Sequence, residues 1–103
     1  MRFLLKVNIP VEAGNAAAKA GKLGAIIQTI LADLKPEAAY FTDDNGQRTG
    51  FLFLDMLDAS QIPAIAEPFF LTMNAQVKFF PVMSAQDLAL AGPAIESAVK
   101  ATA

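Results

Sequence analysis

The chain has 103 residues, 54% of them hydrophobic and 17% charged, with a net charge of −2 and neither cysteine nor histidine. That composition excludes a disulfide framework, thiol chemistry and histidine ligation of a metal or haem, and an acidic balance without a Lys/Arg cluster argues against nucleic acid as a partner. The longest uncharged runs, 23–32 and 68–77, are 10 residues each, half of the ~20 that a membrane-spanning helix needs, so no membrane association is expected.

The length suits one domain, 1–103, with no stretch that reads as a linker. Mean hydropathy is +0.41, high for a domain with so little interior, and the surplus predicts a second buried surface such as a subunit interface. The first residues alternate like a strand and lack the apolar region of a signal peptide, so a cytoplasmic protein is expected.

In chain order, residues 2–9 read as a strand. Phe3, Leu5, Val7 and Ile9 fall on one face and Arg2, Leu4, Lys6 and Asn8 on the other, and Pro10 closes the ladder. Residues 11–34 read as a helix with an apolar stripe at Ala16, Ala20, Leu23, Ile27, Ile30 and Leu34. Gly14, Gly21 and Gly24 weaken it, and Gly21 and Gly24 are expected to allow close approach to the sheet. Lys35-Pro36 ends it.

Residues 37–42 predict a second strand and 47–57 a third, joined at Asp43-Asp44-Asn45-Gly46, where Asn-Gly accepts the positive φ of a tight turn. In the third strand Gly50, Leu52, Leu54 and Met56 oppose Phe51, Phe53, Asp55 and Leu57. Both faces are apolar, which predicts a central strand covered on both sides. Asp58 and Gln61 form a capping pattern for a short helix starting near Ala59, which Pro68 is expected to bend or end. Residues 76–82 predict the fourth strand. Ser84 and Asp87 repeat the capping pattern, and Gly92-Pro93 divides a helical tail, 84–103, into two short helices.

The order is β-α-β-β-α-β plus a tail, an α+β fold of the ferredoxin-like kind with helices on one face of an antiparallel sheet. The other face carries Leu and Phe with nothing in the chain to cover it, so a homodimer is expected, with a higher oligomer left open.

Three segments carry a resemblance: Met1-Arg2-Phe3-Leu4 running to Ile9-Pro10, the strand Gly50-Phe51-Leu52-Phe53-Leu54-Asp55, and Phe80-Pro81-Val82 before the Ser84 cap. Over residues 1–90 the layout resembles the dimeric α+β barrel superfamily, and within it an uncharacterised bacterial family of small proteins. The resemblance implies two facing ferredoxin-like sheets. It also implies a menu of cofactor-independent oxygenases, isomerases and dehydratases, haem enzymes and ligand-binding domains. Without histidine the haem branch is closed here. Fold alone does not choose among the others.

The polar residues in or beside strands are Lys6, Asn8, Tyr40, Arg48, Asp55 and Lys78. Asp55 is the candidate catalytic residue: buried in an apolar strand its pKa would rise into a useful range, whereas at a strand end it caps a helix or pairs with a cation. Tyr40 reads as a hydrogen-bond donor to a ligand or as an interface tyrosine. Lys6 and Lys78 read as an anion spot or as stems lying over apolar surface. Phe69-Phe70 and Phe79-Phe80 read as a pocket wall or as core.

Two motifs fail on spacing. Gly21-Lys22 lacks the remaining phosphate-loop residues, and Asp43-Asp44-Asn45-Gly46 lacks the Glu of a calcium loop. No cofactor or metal is expected. The leading expectation is a homodimeric protein binding a small hydrophobic ligand in an apolar pocket between sheet and helices, with Asn8, Tyr40, Arg48, Phe53, Asp55 and Phe69 as ligand-binding candidates. The alternatives are a cofactor-independent oxygenase or isomerase of a small aromatic compound using Asp55 as base, and a structural or regulatory module joined through the tail.

Overall fold

Alternation in the first strand sets the two faces of the molecule. In the computed structural model, which describes residues 1–103, β1 spans Arg2–Ile9. Leu5, Val7 and Ile9 are buried on one face, and Leu4 and Lys6 stand half-buried on the other. β2 (Ala38–Asp44) and β3 (Gln47–Asp55) form the hairpin expected of Asn-Gly: Asp44 pairs with Gln47, and Asn45 and Gly46 take φ of 55° and 79°. β4 (Gln76–Pro81) completes a four-stranded sheet of order β2-β3-β1-β4, antiparallel throughout. The molecule is thus an α+β fold, compatible with the ferredoxin-like arrangement.

The helical segment before β2 is two helices. α1 spans Val11–Lys19 and α2 spans Leu23–Leu34. Gly21, at φ 71°, ends α1 as a left-handed cap: the Gly21 N–H donates to the Ala18 carbonyl at 3.0 Å and the Lys22 N–H to the Ala17 carbonyl at 2.9 Å. That paired closure satisfies the last carbonyls of a helix and needs a residue that tolerates positive φ. The break resets the helical phase. Ile30 is buried and Leu23, Ile27 and Leu34 half-buried as the stripe predicts, but Ala16 and Ala20 are exposed. The close-approach glycines also differ from the expectation. A Cβ at Gly21 or Gly24 would meet nothing within 4 Å, whereas one at Gly14 would lie 2.7 Å from Arg48 Nη1 and 3.2 Å from Ile9 Cγ2.

Asp58 and Gln61 cap as expected. The Asp58 carboxylate accepts from Ser60 N–H at 2.8 Å and Gln61 Oε1 from Asp58 N–H at 3.1 Å, opening a 3-10 turn, Ala59–Gln61, that leads into α3 (Ile62–Met73). Pro68 does not end α3. The helix runs on to Met73 because Ile65, Ala66, Phe69 and Met73 are buried along one side. Each large apolar side chain so buried contributes about 1.5–3 kcal/mol, enough to offset the hydrogen bond that proline removes. Helices α1 to α3 lie on the Leu5/Leu52 face, where Leu5, Val7, Leu52, Leu54, Ile65, Phe69 and Met73 form the centre of the core. After β4 come α4 (Ala85–Leu90) and α5 (Gly92–Ala101), neither with a buried residue. No helix is long and apolar enough to cross a membrane.

Candidate functional site on the open face of the sheet

The register places every side chain of the face opposite the helices. Across the strands in the order β2, β3, β1, β4, one row reads Ala38, Phe53, Leu4, Phe80. The next reads Tyr40, Phe51, Lys6, Lys78, and the third Thr42, Thr49, Asn8, Gln76. Asp44 and Gln47 follow at the hairpin end. The face is therefore graded. Inside a charged rim where Arg2 lies opposite Asp55, it is apolar in the row of Leu4, Phe53 and Phe80, aromatic and cationic in the middle, and amide, hydroxyl and carboxylate near the turn.

The polar end is a connected network. Asn8, 6% exposed, donates from Nδ2 to Thr49 Oγ1 at 2.9 Å and to Asp44 Oδ2 at 3.2 Å. Thr49 Oγ1, on a residue 2% exposed, donates to the Gln47 carbonyl at 3.1 Å. Lys6 Nζ reaches Asp44 Oδ2 at 2.8 Å and lies 5.9 Å from the centroid of the Phe51 ring. The hydrogen bond from Lys6 holds the Asp44 carboxyl below its ordinary value, helped by the one from Asn8 and by the Lys6 charge, with a smaller share from Lys78. Its partial desolvation acts in the opposite direction and is outweighed. No buried side-chain polar atom lacks a partner. The network is rigid and preorganised.

The sheet separates the candidates read from the sequence. Asn8, Tyr40, Phe53 and Asp55 share the open face, whereas Arg48 and Phe69 lie on the helix side. Arg48 Nη1 donates to Asn15 Oδ1 at 3.0 Å, over Gly14. Phe69 is core. Asp55 is exposed at the rim and pairs with the terminal ammonium of Met1 at 2.8 Å. That hydrogen bond and charge hold its carboxyl below the ordinary value. The burial that would raise it is therefore not met. Beside it, Arg2 pairs with Glu37 across the strand between them.

Two spaces lie between sheet and helices: a cleft of about 340 Å³ beside Ile9, Ile27, Phe41 and Arg48, and an inner void of about 20 Å³ lined by residues such as Val7, Ile30, Leu52, Phe69 and Met73. The inner void has room for no more than one water and lacks the polar partners a water needs. A cleft of about 410 Å³ lies between α2 and α3, beside Ile26, Ile30, Pro68 and Thr72. Phe79 packs edge-on to Phe3 at 6.5 Å between centroids, while Phe80 on the opposite face is 42% exposed.

Asp44 and Thr49 were not among the sequence candidates. The signal for both was present, because a two-residue Asn-Gly turn fixes Asp44 opposite Gln47 and Thr42 opposite Thr49, on the side of Tyr40. No group of three or more Asp, Glu, His or Cys residues gathers in a metal-binding cluster. No protein-family model matches the chain, and no curated protein matches it.

Proposed function

We propose that the chain is a homodimeric small-molecule-binding protein whose open sheet faces meet as in the dimeric α+β barrels and hold a small, partly aromatic ligand between them. The observation that carries the reading is the graded face itself. Leu4, Tyr40, Phe51, Phe53 and Phe80 lie on it beside the preorganised Lys6–Asp44–Asn8–Thr49 network, with no element of the chain packed over them. Apolar surface of this extent favours burial by a partner, and convergent polar groups in an apolar setting are what orients a small ligand. Tyr40, 65% exposed, supplies a phenol at the aromatic row. The proposal moves the binding site from the sheet–helix interior to the sheet–sheet interface. It keeps Tyr40 and Phe53 as ligand-facing residues, places Asn8 in the buried network that orients Asp44 and Lys6, and assigns Arg48 and Phe69 to the scaffold.

Native mass spectrometry of the purified chain tests both halves together. The expected result is a dimer carrying extra mass that is released on denaturation, and that is lost from a Tyr40→Ala variant that still dimerises. A monomer refutes the facing-sheet reading. A dimer that neither carries extra mass nor takes up an aromatic probe such as 1-anilinonaphthalene-8-sulfonate refutes the ligand site.

A further inference from the structure

The end of the chain leaves the body of the domain. After β4 the Val82 N–H continues the ladder to the Arg2 carbonyl at 3.3 Å. Ser84 then opens α4 with a reciprocal cap, its N–H donating to Asp87 Oδ2 at 2.9 Å and its Oγ accepting from the Asp87 N–H at 3.1 Å. Ala91 joins α4 to α5, its carbonyl accepting from the Ala94 and Ile95 N–H groups, so the two helices form one bent rod. Pinned by ladder and cap across only Val82 to Ser84, the rod points away from the sheet rather than back onto it.

Three magnitudes describe the consequence. The molecule measures 59 × 28 × 20 Å with a radius of gyration of 17.3 Å, against about 13 Å for a compact chain of this length. Its accessible surface is 6930 Å², roughly 1,300 Å² more than the ~5,600 Å² expected of a compact protein of this mass. That surplus exceeds the ~800 Å² each partner contributes to a standard interface. Isolated helices under ~12–15 residues are marginal in water, and α4 and α5 have 6 and 10. Ile95 and Val99, one turn apart on α5, and Leu88 on α4 are each more than half exposed.

The geometry points to a second copy of this chain as what covers the tail: α4 and α5 of each protomer clasp the other, with Leu88, Ile95 and Val99 packed on its body. The rod springs from β4, an edge strand whose Lys78 and Phe80 belong to the open face, so a copy seated on that face lies beside the start of the tail. The inference rests on the face-to-face dimer proposed above and adds a second, reciprocal contact to it.

The chain has no cysteine, so Ser97→Cys takes a single spin label on the full-length protein. Mixed one to one with unlabelled, ¹⁵N-enriched chain, the label is expected to broaden amides in the body of the enriched copy. A dimeric mixture in which no amide of the enriched copy broadens overturns the inference. In parallel, sedimentation of the double variant Ile95→Glu/Val99→Glu is expected to raise the dimer dissociation constant by at least about tenfold, with unchanged circular dichroism because both positions are exposed. A constant within about twofold of wild type overturns the clasp. Phe80→Glu separates the two contacts. If it dissolves the dimer while the tail variant does not, the clasp falls and the facing sheets stand. If the tail variant alone dissolves the dimer, the facing sheets fall and the clasp stands. A wild-type chain that is monomeric in the NMR sample overturns both.

Discussion

Replacing Asn8 by aspartate changes one nitrogen for one oxygen and tests the open-face network. The amide donates to a carboxylate 3.2 Å away and to Thr49 Oγ1 at 2.9 Å, from a residue only 6% exposed. An ionised carboxyl at this position donates nothing and faces Asp44 across a short gap. Two carboxylates so close do not both ionise, so the new group takes up a proton. At pH 7 the cost of protonating a group of ordinary pKa ~3.9 is bounded at about 4 kcal/mol, and solvent at the rim reduces it to roughly 2–3 kcal/mol. The sign is definite. The introduced group has a folded pKa raised above its unfolded value, so the penalty is full at neutral pH and fades as pH falls toward 4. Urea unfolding of wild type and Asn8→Asp at pH 7 and pH 4 measures it. Equal stability at pH 7, or a deficit that does not shrink at pH 4, refutes the network. Asn8→Ala is the control: it loses both bonds at either pH, about 2 kcal/mol.

Leu52→Ala, at a site 1% exposed in the centre of the sheet, is expected to cost about 2–5 kcal/mol by cavity formation, read as a lower Tm with the fold retained. Among the glycines, Gly24→Ala is expected to stabilise by about 0.5 kcal/mol, because its Cβ enters open space within a helix. Gly14→Ala gains the same propensity but displaces Arg48 from Asn15, so its net change in urea midpoint is expected to be near zero or negative. Asp44 titrates below its ordinary value of 3.8 because Lys6 and Asn8 hydrogen-bond its ionised form. Its contribution is therefore complete above pH ~3.8 and is lost as pH falls through the folded pKa. Lys6→Met should flatten that acid limb in a pH series of unfolding curves, leaving the slope due to Asp55, lowered by the Met1 ammonium, and to Asp58 and Asp87, lowered by their cap hydrogen bonds.

What the sequence made legible is what short-range chemistry decides. The β1 alternation, the Asn-Gly hairpin and the two reciprocal caps each rest on residues within a few positions of one another, and the structure reproduces them. The break at Gly21 is equally local. It was obscured because the apolar positions on either side happen to continue one another's period, so periodicity outvoted a left-handed cap. Pro68 is the opposite case: local propensity predicted a bend or a stop, and burial of Phe69 and Met73 beyond it carried the helix on. In the candidate site, parity alone assigns Asn8, Tyr40, Phe53 and Asp55 to one face and Arg48 to the other, once the hairpin register is known. Asp44 was passed over because the turn already accounted for it. The direction of the tail is a non-local quantity, set where the β4 ladder meets the Ser84 cap, and no stripe on a helix encodes it.

The grading of the open face decides how a second copy can sit on it. In the apolar row Leu4, Phe53 and Phe80 gain by burial, and the Arg2 and Asp55 rim beyond them is already paired with Glu37 and the Met1 ammonium. At the hairpin end Asn8 and Thr49 are already buried and paired, so covering them leaves no group unsatisfied. The exception lies in the row between. Lys78 stands directly opposite Lys6, a like-charge pair of the kind that weakens a sheet, and only Lys6 has a carboxylate within ion-pair distance. Burying Lys78 unpaired would cost several kcal/mol, so a copy that covers the face must leave Lys78 wet or bring an anion to it. The same β4 edge is where the tail departs. In the proposed dimer the pair would close over the aromatic centre of the face and over Phe80 while leaving Lys78 in contact with water, and a ligand entering between the sheets would pass Lys78 on the way to Tyr40.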